Sequence, residues 1–385
     1  MLTLLSITID DVLKWFIRLF VFFLPIIWLP GITQNNLQNL FFDFGCLAIF
    51  FIAILTKEKR KFTNYNIPII FLYCSIFSIF SRTFSPMLLH LLCGFLFYYA
   101  IITTMNRDEI YNIARILLFV AWINILALFF QILGKDLIYC PKDSVEAMAI
   151  GWPVKCGFMG LNKHLAIFLA LASGFCYSYC WFFIILILGI IIYLKSLTAL
   201  IGFLVIILLF ISKKRKINIM PYLITLPIIS VIFIFSTNSF YKFSVRWETW
   251  SVALKDIFRN IFWGKGFGNF NIDVPVSWVN NTKEIINNAP TFNEYIKAMS
   301  EFGLLPFLII ALSVFLYFRK LYLWTKQYND VQILFRVVMA ILAMCLFQDL
   351  LHSARLGGPI LLIVALFELS MITKKEAEVY VTDKI

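Results

Sequence analysis

Ile110–Leu133 reads IYNIARILLFVAWINILALFFQIL, with Arg115 as its single charge. An apolar run of this length covers the ~20 residues a helix needs to cross a hydrocarbon layer. Further apolar runs lie at Leu13–Pro30, Asn39–Leu55, Ile67–Ser81, Pro86–Thr103, His164–Cys180, Trp181–Leu194, Ser196–Ile211, Ile219–Ser236, Phe302–Phe318, Ile333–Leu351 and Gly358–Ile372. These runs in 385 residues predict an all-α integral membrane protein of about twelve transmembrane helices. Composition agrees, at 62% hydrophobic and 14% charged residues with a mean hydropathy of +0.89. Soluble domains average ~45–50% apolar and ~25% charged residues, so a soluble enzyme built this way would lack polar surface to cover itself. A transmembrane β-barrel is excluded, because the runs are continuous and do not alternate.

Basic clusters set the orientation. Lys57, Lys59, Arg60 and Lys61 form one, and Lys213, Lys214, Arg215 and Lys216 another. Arg319, Lys320 and Lys326 follow, then Lys374 and Lys375. Twelve alternating crossings with both termini inside put all of them in the cytoplasm, as the positive-inside bias requires. The chain then divides into helices 1–5 (1–133), a first outer loop (134–163), helices 6–9 (164–236), a large outer loop (237–301), and helices 10–12 with a short cytoplasmic tail (302–385). No cleavable signal peptide is expected, since Asp10 and Asp11 sit where a basic segment would precede the first apolar run.

The net charge is +12, from 33 Lys and Arg against 21 Asp and Glu. With no basic soluble module, nucleic acid is not an expected partner, whereas membrane lipids are. The eight cysteines show no metal-ligand spacing. Cys140 and Cys156 share the first outer loop; bridging them would close a loop worth ~3 kcal/mol in the chain-entropy picture. Many cations fall in the two outer loops, beyond anything topology demands. A cationic cavity for an anionic substrate and a solvated basic loop both fit.

In the large loop, Arg246–Phe258 has helical periodicity, with Trp247, Trp250, Leu254, Ile257 and Phe258 on one stripe. Such a helix would lie at the outer interface with tryptophans at headgroup level. Arg246 is expected just before it, near the positive end, where a guanidinium fork suits phosphate oxygens; a salt bridge to Glu248 or Asp256 is the plainer alternative. Gly264-Lys265-Gly266-Phe267-Gly268-Asn269-Phe270 then permits a tight turn. It lacks Walker and dinucleotide spacing. The stretch Ala289–Pro306 then looks like a short polar helix leading into the tenth span.

These residues resemble the signature of the O-antigen ligases and the related O-antigen polymerases. The resemblance is carried by Arg246 with Trp250, by the Gly264/Gly266/Gly268 segment, by Asn293-Glu294-Tyr295-Ile296, and by Glu301-Phe302-Gly303. Gly160-Leu161-Asn162-Lys163-His164 is similar to the family's start of a middle span. Ser196-Leu197-Thr198-Ala199 resembles its next helix start without the arginine. The first five spans match only in hydropathy.

The resemblance implies a glycosyltransferase on the outer face of the bacterial cytoplasmic (inner) membrane. Its donor would be a polyprenyl-pyrophosphate-linked oligosaccharide and its acceptor another glycan or lipid A-core, with no cofactor and no metal. The family's ligases usually carry histidine before the asparagine of the third motif. Phe292 stands there, leaving polymerase, divergent transferase and inactive homologue open.

For that chemistry, cations must meet charge developing on the leaving pyrophosphate. Arg246, then Arg355, Lys265 and Lys163, are the candidate clamps, with headgroup contact the alternative for Arg355. Glu301, Glu294 and His352 are the candidate catalytic bases, with His164 behind them. His90 reads as a packed, hydrogen-bonded residue. Arg18, Arg115, Arg336, Asp43, Asp349 and Glu368 lie in spans, most of them near an end, where snorkelling explains them, and Asp349, six residues before Arg355, is placed to border the external cavity.

The rival of a different class is a transporter, such as a lipid-linked glycan flippase. Internal repeats and broken helices would mark it, and no repeat relates the two halves. A channel lacks a filter-like loop, while a transferase serving capsule or teichoic polymers would use the same chemistry. Arg246→Cys in an otherwise cysteine-free chain is expected to react with an impermeant maleimide added outside the cell membrane. Labelling only after permeabilisation would turn the loop inward and remove the external cationic site.

Overall fold

The computed structural model describes residues 8–26, 34–56, 87–134, 157–159, 162–176, 181–215, 240–259, 261–266, 268–270, 274–279, 282–286, 293–325, 329–348, 350 and 357–370. At some of these, Arg246 among them, only the backbone is described. The helices are α1 Ile9–Phe23, α2 Gln34–Leu55, α3 Met87–Thr104, α4 Arg107–Ile132, α5 Asn162–Ser173, α6 Trp181–Tyr193 and α7 Leu197–Arg215. They continue with α8 Phe240–Arg259, α9 Glu294–Phe302, α10 Leu304–Thr325 and α11 Asn329–Cys345, and α12 spans Gly357–Ser370. Every expected span that falls on described residues coincides with a helix. Ile67–Ser81, Ile219–Ser236 and the Cys140–Cys156 pair lie outside the described residues.

By length and composition, one helix among the described residues is long and apolar enough to cross a membrane. It is Asp108–Ile132, 25 residues at a hydropathy of 2.3. The apolar parts of the other helices run to 10–17 residues.

Helix starts depart from the hydropathy boundaries where capping chemistry intervenes. α1 begins before Leu13 because Thr8 and Asp11 form a capping box: Thr8 Oγ1 accepts the Asp11 N–H at 3.2 Å, and the Asp11 carboxylate accepts the Thr8 N–H at 3.2 Å. Those bonds hold the Asp11 carboxyl below its usual value. α5 ends earlier than expected, at Ser173, in a tight turn whose Gly174 N–H donates to Leu171 at 3.1 Å.

One large apolar core joins α1–α7, α11 and α12. α2 packs along α3, α7 along both α5 and α11, and α1 against α2 and α4. At the α1–α2 crossing a Cβ on Gly45 would run into the Phe20 ring, so glycine there sets the approach of the two helices. Phe20 in turn stacks on Phe41 and meets Phe97 edge-on.

Polar side chains tie helices that apolar packing alone would let slide. Arg18 of α1 grips Glu109 of α4 bidentately, Nε to Oε2 at 3.0 Å and Nη2 to Oε1 at 2.6 Å. Snorkelling therefore does not describe Arg18. Arg115 is exposed, as snorkelling requires. Asp43 of α2 meets His90 Nδ1 of α3 at 2.7 Å, so His90 is hydrogen-bonded as expected.

The all-α class holds, and the described residues add one short hairpin to the helices. Val274–Val279 and Thr282–Ile286 form an antiparallel hairpin, β1–β2, in register Val274↔Ile286 and Val279↔Thr282 with an irregularity between. Valine, tryptophan and isoleucine at this density favour extended backbone over helix. The stretch is too short and too interrupted by polar residues to have read as a span.

Gly45→Leu is expected to overpack the α1–α2 crossing and cost about 1–3 kcal/mol, read as a lower melting temperature of the purified protein. Gly189→Ala, where a Cβ meets open space, serves as the neutral comparison.

Candidate functional site

α8 starts at Phe240, not beside Arg246. Phe240, Phe243, Trp247 and Trp250 extend the apolar spacing backwards, so Arg246 lies within the helix and not at its positive end. The expected single stripe is also two faces. Ala253 and Ile257 are buried with Ile296 of α9, with Trp250, Met299 and Phe270 around them, and Thr249 is buried one turn before Ala253. Small Ala253 lets α9 come close. Trp247, Leu254 and Phe258 face outward and are exposed, beside exposed Phe262 and Trp263.

The glycine segment is a latch on the end of α9. Gly264, Gly266 and Gly268 have φ of +59°, +88° and +76°, a region open at low cost only to glycine. The Lys265 N–H donates to the Ser300 carbonyl at 2.9 Å and the Gly266 N–H to the Glu301 carbonyl at 2.7 Å. The Leu305 N–H returns to Ile261 at 3.2 Å. The first two bonds satisfy carbonyls that α9 leaves open at its C-terminus, and the third takes up an N–H at the start of α10. A Cβ on Gly264 would strike the Glu301 carbonyl, and one on Gly303 (φ +88°) would meet Ile261 O at 2.8 Å.

Side chains reinforce the latch. Asp256 Oδ2 accepts from Lys265 Nζ at 2.8 Å and from Ser300 Oγ at 3.2 Å. The Lys265 ammonium is thus engaged inside the protein. Sequence reasoning passed over Ser300 and offered Asp256, alongside Glu248, only as an alternative partner for Arg246; the positions of Asp256 and Ser300 on facing helices were the missing information.

α9 is anchored at its other end too. Asn293 caps it, its Oδ1 accepting the Tyr295 and Ile296 N–H groups at 3.0 and 3.1 Å. Buried Glu294 accepts the Leu350 N–H at 2.7 Å, and the Tyr295 hydroxyl donates to the Leu342 carbonyl at 2.8 Å. Burial, with Cys345 and Glu294 adding to it, pushes the Tyr295 phenol up, so it stays a protonated donor. Glu294 is therefore a brace to the α11 end as well as a carboxylate, a role the motif alone did not reveal. Glu301 is 1% exposed, enclosed under the glycine turn.

Asn162 and Lys163 open α5, where the Lys163 N–H turns back to Asn162 Oδ1 at 2.8 Å. His164 is buried beside them. The approach to α5 is held by α4: Asn124 Oδ1 accepts the Phe158 N–H and Gln131 Oε1 the Gly157 N–H, each at 3.0 Å. Both side chains are polar interruptions of the run Ile110–Leu133, a signal the hydropathy reading passed over. His352, Arg355 and Phe292 lie outside the described residues, as does the Arg246 side chain. Among the described residues no group of three or more His, Cys, Asp or Glu side chains is placed to hold a metal ion.

No protein-family model matches the chain, and no curated protein matches it.

Gly264→Val is expected to release the turn from α9. Amide hydrogen exchange at Lys265, Gly266 and the last turn of α9 should then accelerate at least roughly tenfold, as for loss of a bond stabilised by about 1.4 kcal/mol, while α1–α4 keep their protection.

Proposed function

We propose that the chain is a multi-pass glycosyltransferase of the bacterial cytoplasmic membrane, working on the extracytoplasmic face in cell-surface polysaccharide assembly. It would take a polyprenyl-pyrophosphate-linked glycan as donor, in the manner of O-antigen polymerases and ligases. The observation that carries this is the latch: the Gly264–Gly268 turn and the Asn293–Gly303 helix, two separate pieces of the family-like pattern, bond to each other through their backbones. Exposed Trp247, Leu254, Phe258, Phe262 and Trp263 beside it suit a site resting at a membrane interface.

In the proposed reaction an acceptor hydroxyl attacks the anomeric carbon as the bond to the pyrophosphate oxygen breaks. The hydroxyl proton goes to a base, for which Glu301 and His352 remain the candidates and Glu294 the third, already bonded to Leu350. The negative charge arriving on the leaving phosphates is met by cations, with Arg246 first, then Arg355 and Lys163. Lys265 ranks last, because Asp256 already neutralises it.

A lipid-linked glycan flippase is the second reading, favoured by the Asp43–His90 bond between α2 and α3, since ionisable pairs within apolar bundles serve proton-coupled carriers.

Reconstitution with a polyprenyl-pyrophosphate oligosaccharide separates them. Lengthened carrier-linked chains identify a polymerase, and glycosylated lipid A-core a ligase. Movement of the intact donor between leaflets without a new linkage identifies the flippase. Arg246→Ala is expected to abolish transfer with expression and membrane insertion unchanged; an undiminished product ladder would remove Arg246 from the site.

A further inference from the structure

The latch bonds to the C-terminal half of α11, through Leu342 and the following Leu350. At the other end of α11 stands a second constellation. Gln332 and Arg336 fall one helical turn apart and so share a face. Both are over nine-tenths buried, at 9% and 8% exposure. The Arg336 guanidinium lies over the Phe210 ring of α7, 5.1 Å from its centroid. Tyr322 of α10 and Phe367 of α12 flank Phe335 of the same turn, at 6.1 and 6.4 Å between centroids.

Arg336 Nε and Gln332 Oε1 are buried without a hydrogen-bond partner. Among the described residues no carboxylate comes within salt-bridge distance of Arg336. A buried guanidinium without a counter-charge is strongly disfavoured. An aromatic face offsets only part of the lost hydration.

We propose that Arg336 and Gln332 form a binding site for a phosphate-bearing headgroup that also carries a hydroxyl. The guanidinium donates its fork to the phosphate oxygens. Gln332 Oε1 accepts from the hydroxyl. Phe210, Tyr322 and Phe335 supply the apolar wall. Phe210 lies close before the Lys213–Lys216 cluster, so in the membrane this end faces the cytoplasmic leaflet, opposite the proposed transfer site. The same chemistry is offered by an acidic phospholipid such as phosphatidylglycerol and by free glycerol phosphate. The site is independent of glycan transfer.

The test uses the full-length protein in maltoside detergent micelles, which carry no phosphate, with and without added phosphatidylglycerol, and separately with glycerol phosphate or inorganic phosphate. Lipid retention is read by native mass spectrometry and stability by melting temperature. The wild type should retain phosphatidylglycerol and melt higher with it. Arg336→Met should lose at least roughly tenfold in retention, the effect of one charge-assisted hydrogen bond. It should also melt above the wild type in the maltoside micelles without added lipid, where the charge has no phosphate partner. Gln332→Leu should weaken phosphatidylglycerol retention and leave the response to inorganic phosphate intact. A full response to glycerol phosphate alone would assign the site to the free ligand. Destabilisation by Arg336→Met in every condition, or a wild type indifferent to all phosphates, overturns the proposal.

Discussion

Two backbone hydrogen bonds, Lys265 N–H to Ser300 and Gly266 N–H to Glu301, decide how the polar part of this chain is arranged. They bring a turn and a helix end into contact at a distance only backbone without side chains allows. Everything near the proposed chemistry hangs from that contact. α8 is carried in beside α9, Asp256 reaches both Lys265 and Ser300, and Glu301 is enclosed. The anchoring of α9 to the α11 end by Glu294 and Tyr295 then ties the assembly to the helical bundle.

The bundle itself is held differently. Its apolar surfaces are large but interchangeable, since leucine, isoleucine and phenylalanine pack against one another in many registers. Buried polar contacts remove that freedom, because an unmatched carboxylate or amide inside costs far more than a shifted methyl group. Asp43–His90 fixes α2 on α3. Asn124 and Gln131 fix the segment before α5 on α4. Arg336 stands apart from this scheme as a buried charge whose counterpart the described residues do not supply.

Legibility in the sequence follows the same division. Hydropathy located α2, α3, α4, α6 and α7 within a few residues, because burial of continuous apolar runs dominates there. It missed the start of α1, where the Thr8–Asp11 cap decides, and the early end of α5, where a turn does. It also merged the two faces of α8, since periodicity says that Trp247 and Ile257 are apolar without saying which one meets α9. The motif residues of the site were visible as a pattern: Gly264, Gly266, Asn293, Glu294 and Glu301. Their partners were not. Ser300, Leu342 and Leu350 contribute through backbone groups or a short hydroxyl, and no local spacing announces a partner 47 or 56 positions away.

The Arg18–Glu109 fork joins residues 91 positions apart, and on the multi-pass membrane reading proposed above this would constrain biogenesis. While the ribosome is still making α2 and α3, α1 must keep Arg18 hydrated near the surface, because its counter-charge does not yet exist. Deep settling of α1 has to wait until α4 emerges. On that reading the first and fifth hydrophobic segments of the nascent chain are committed together.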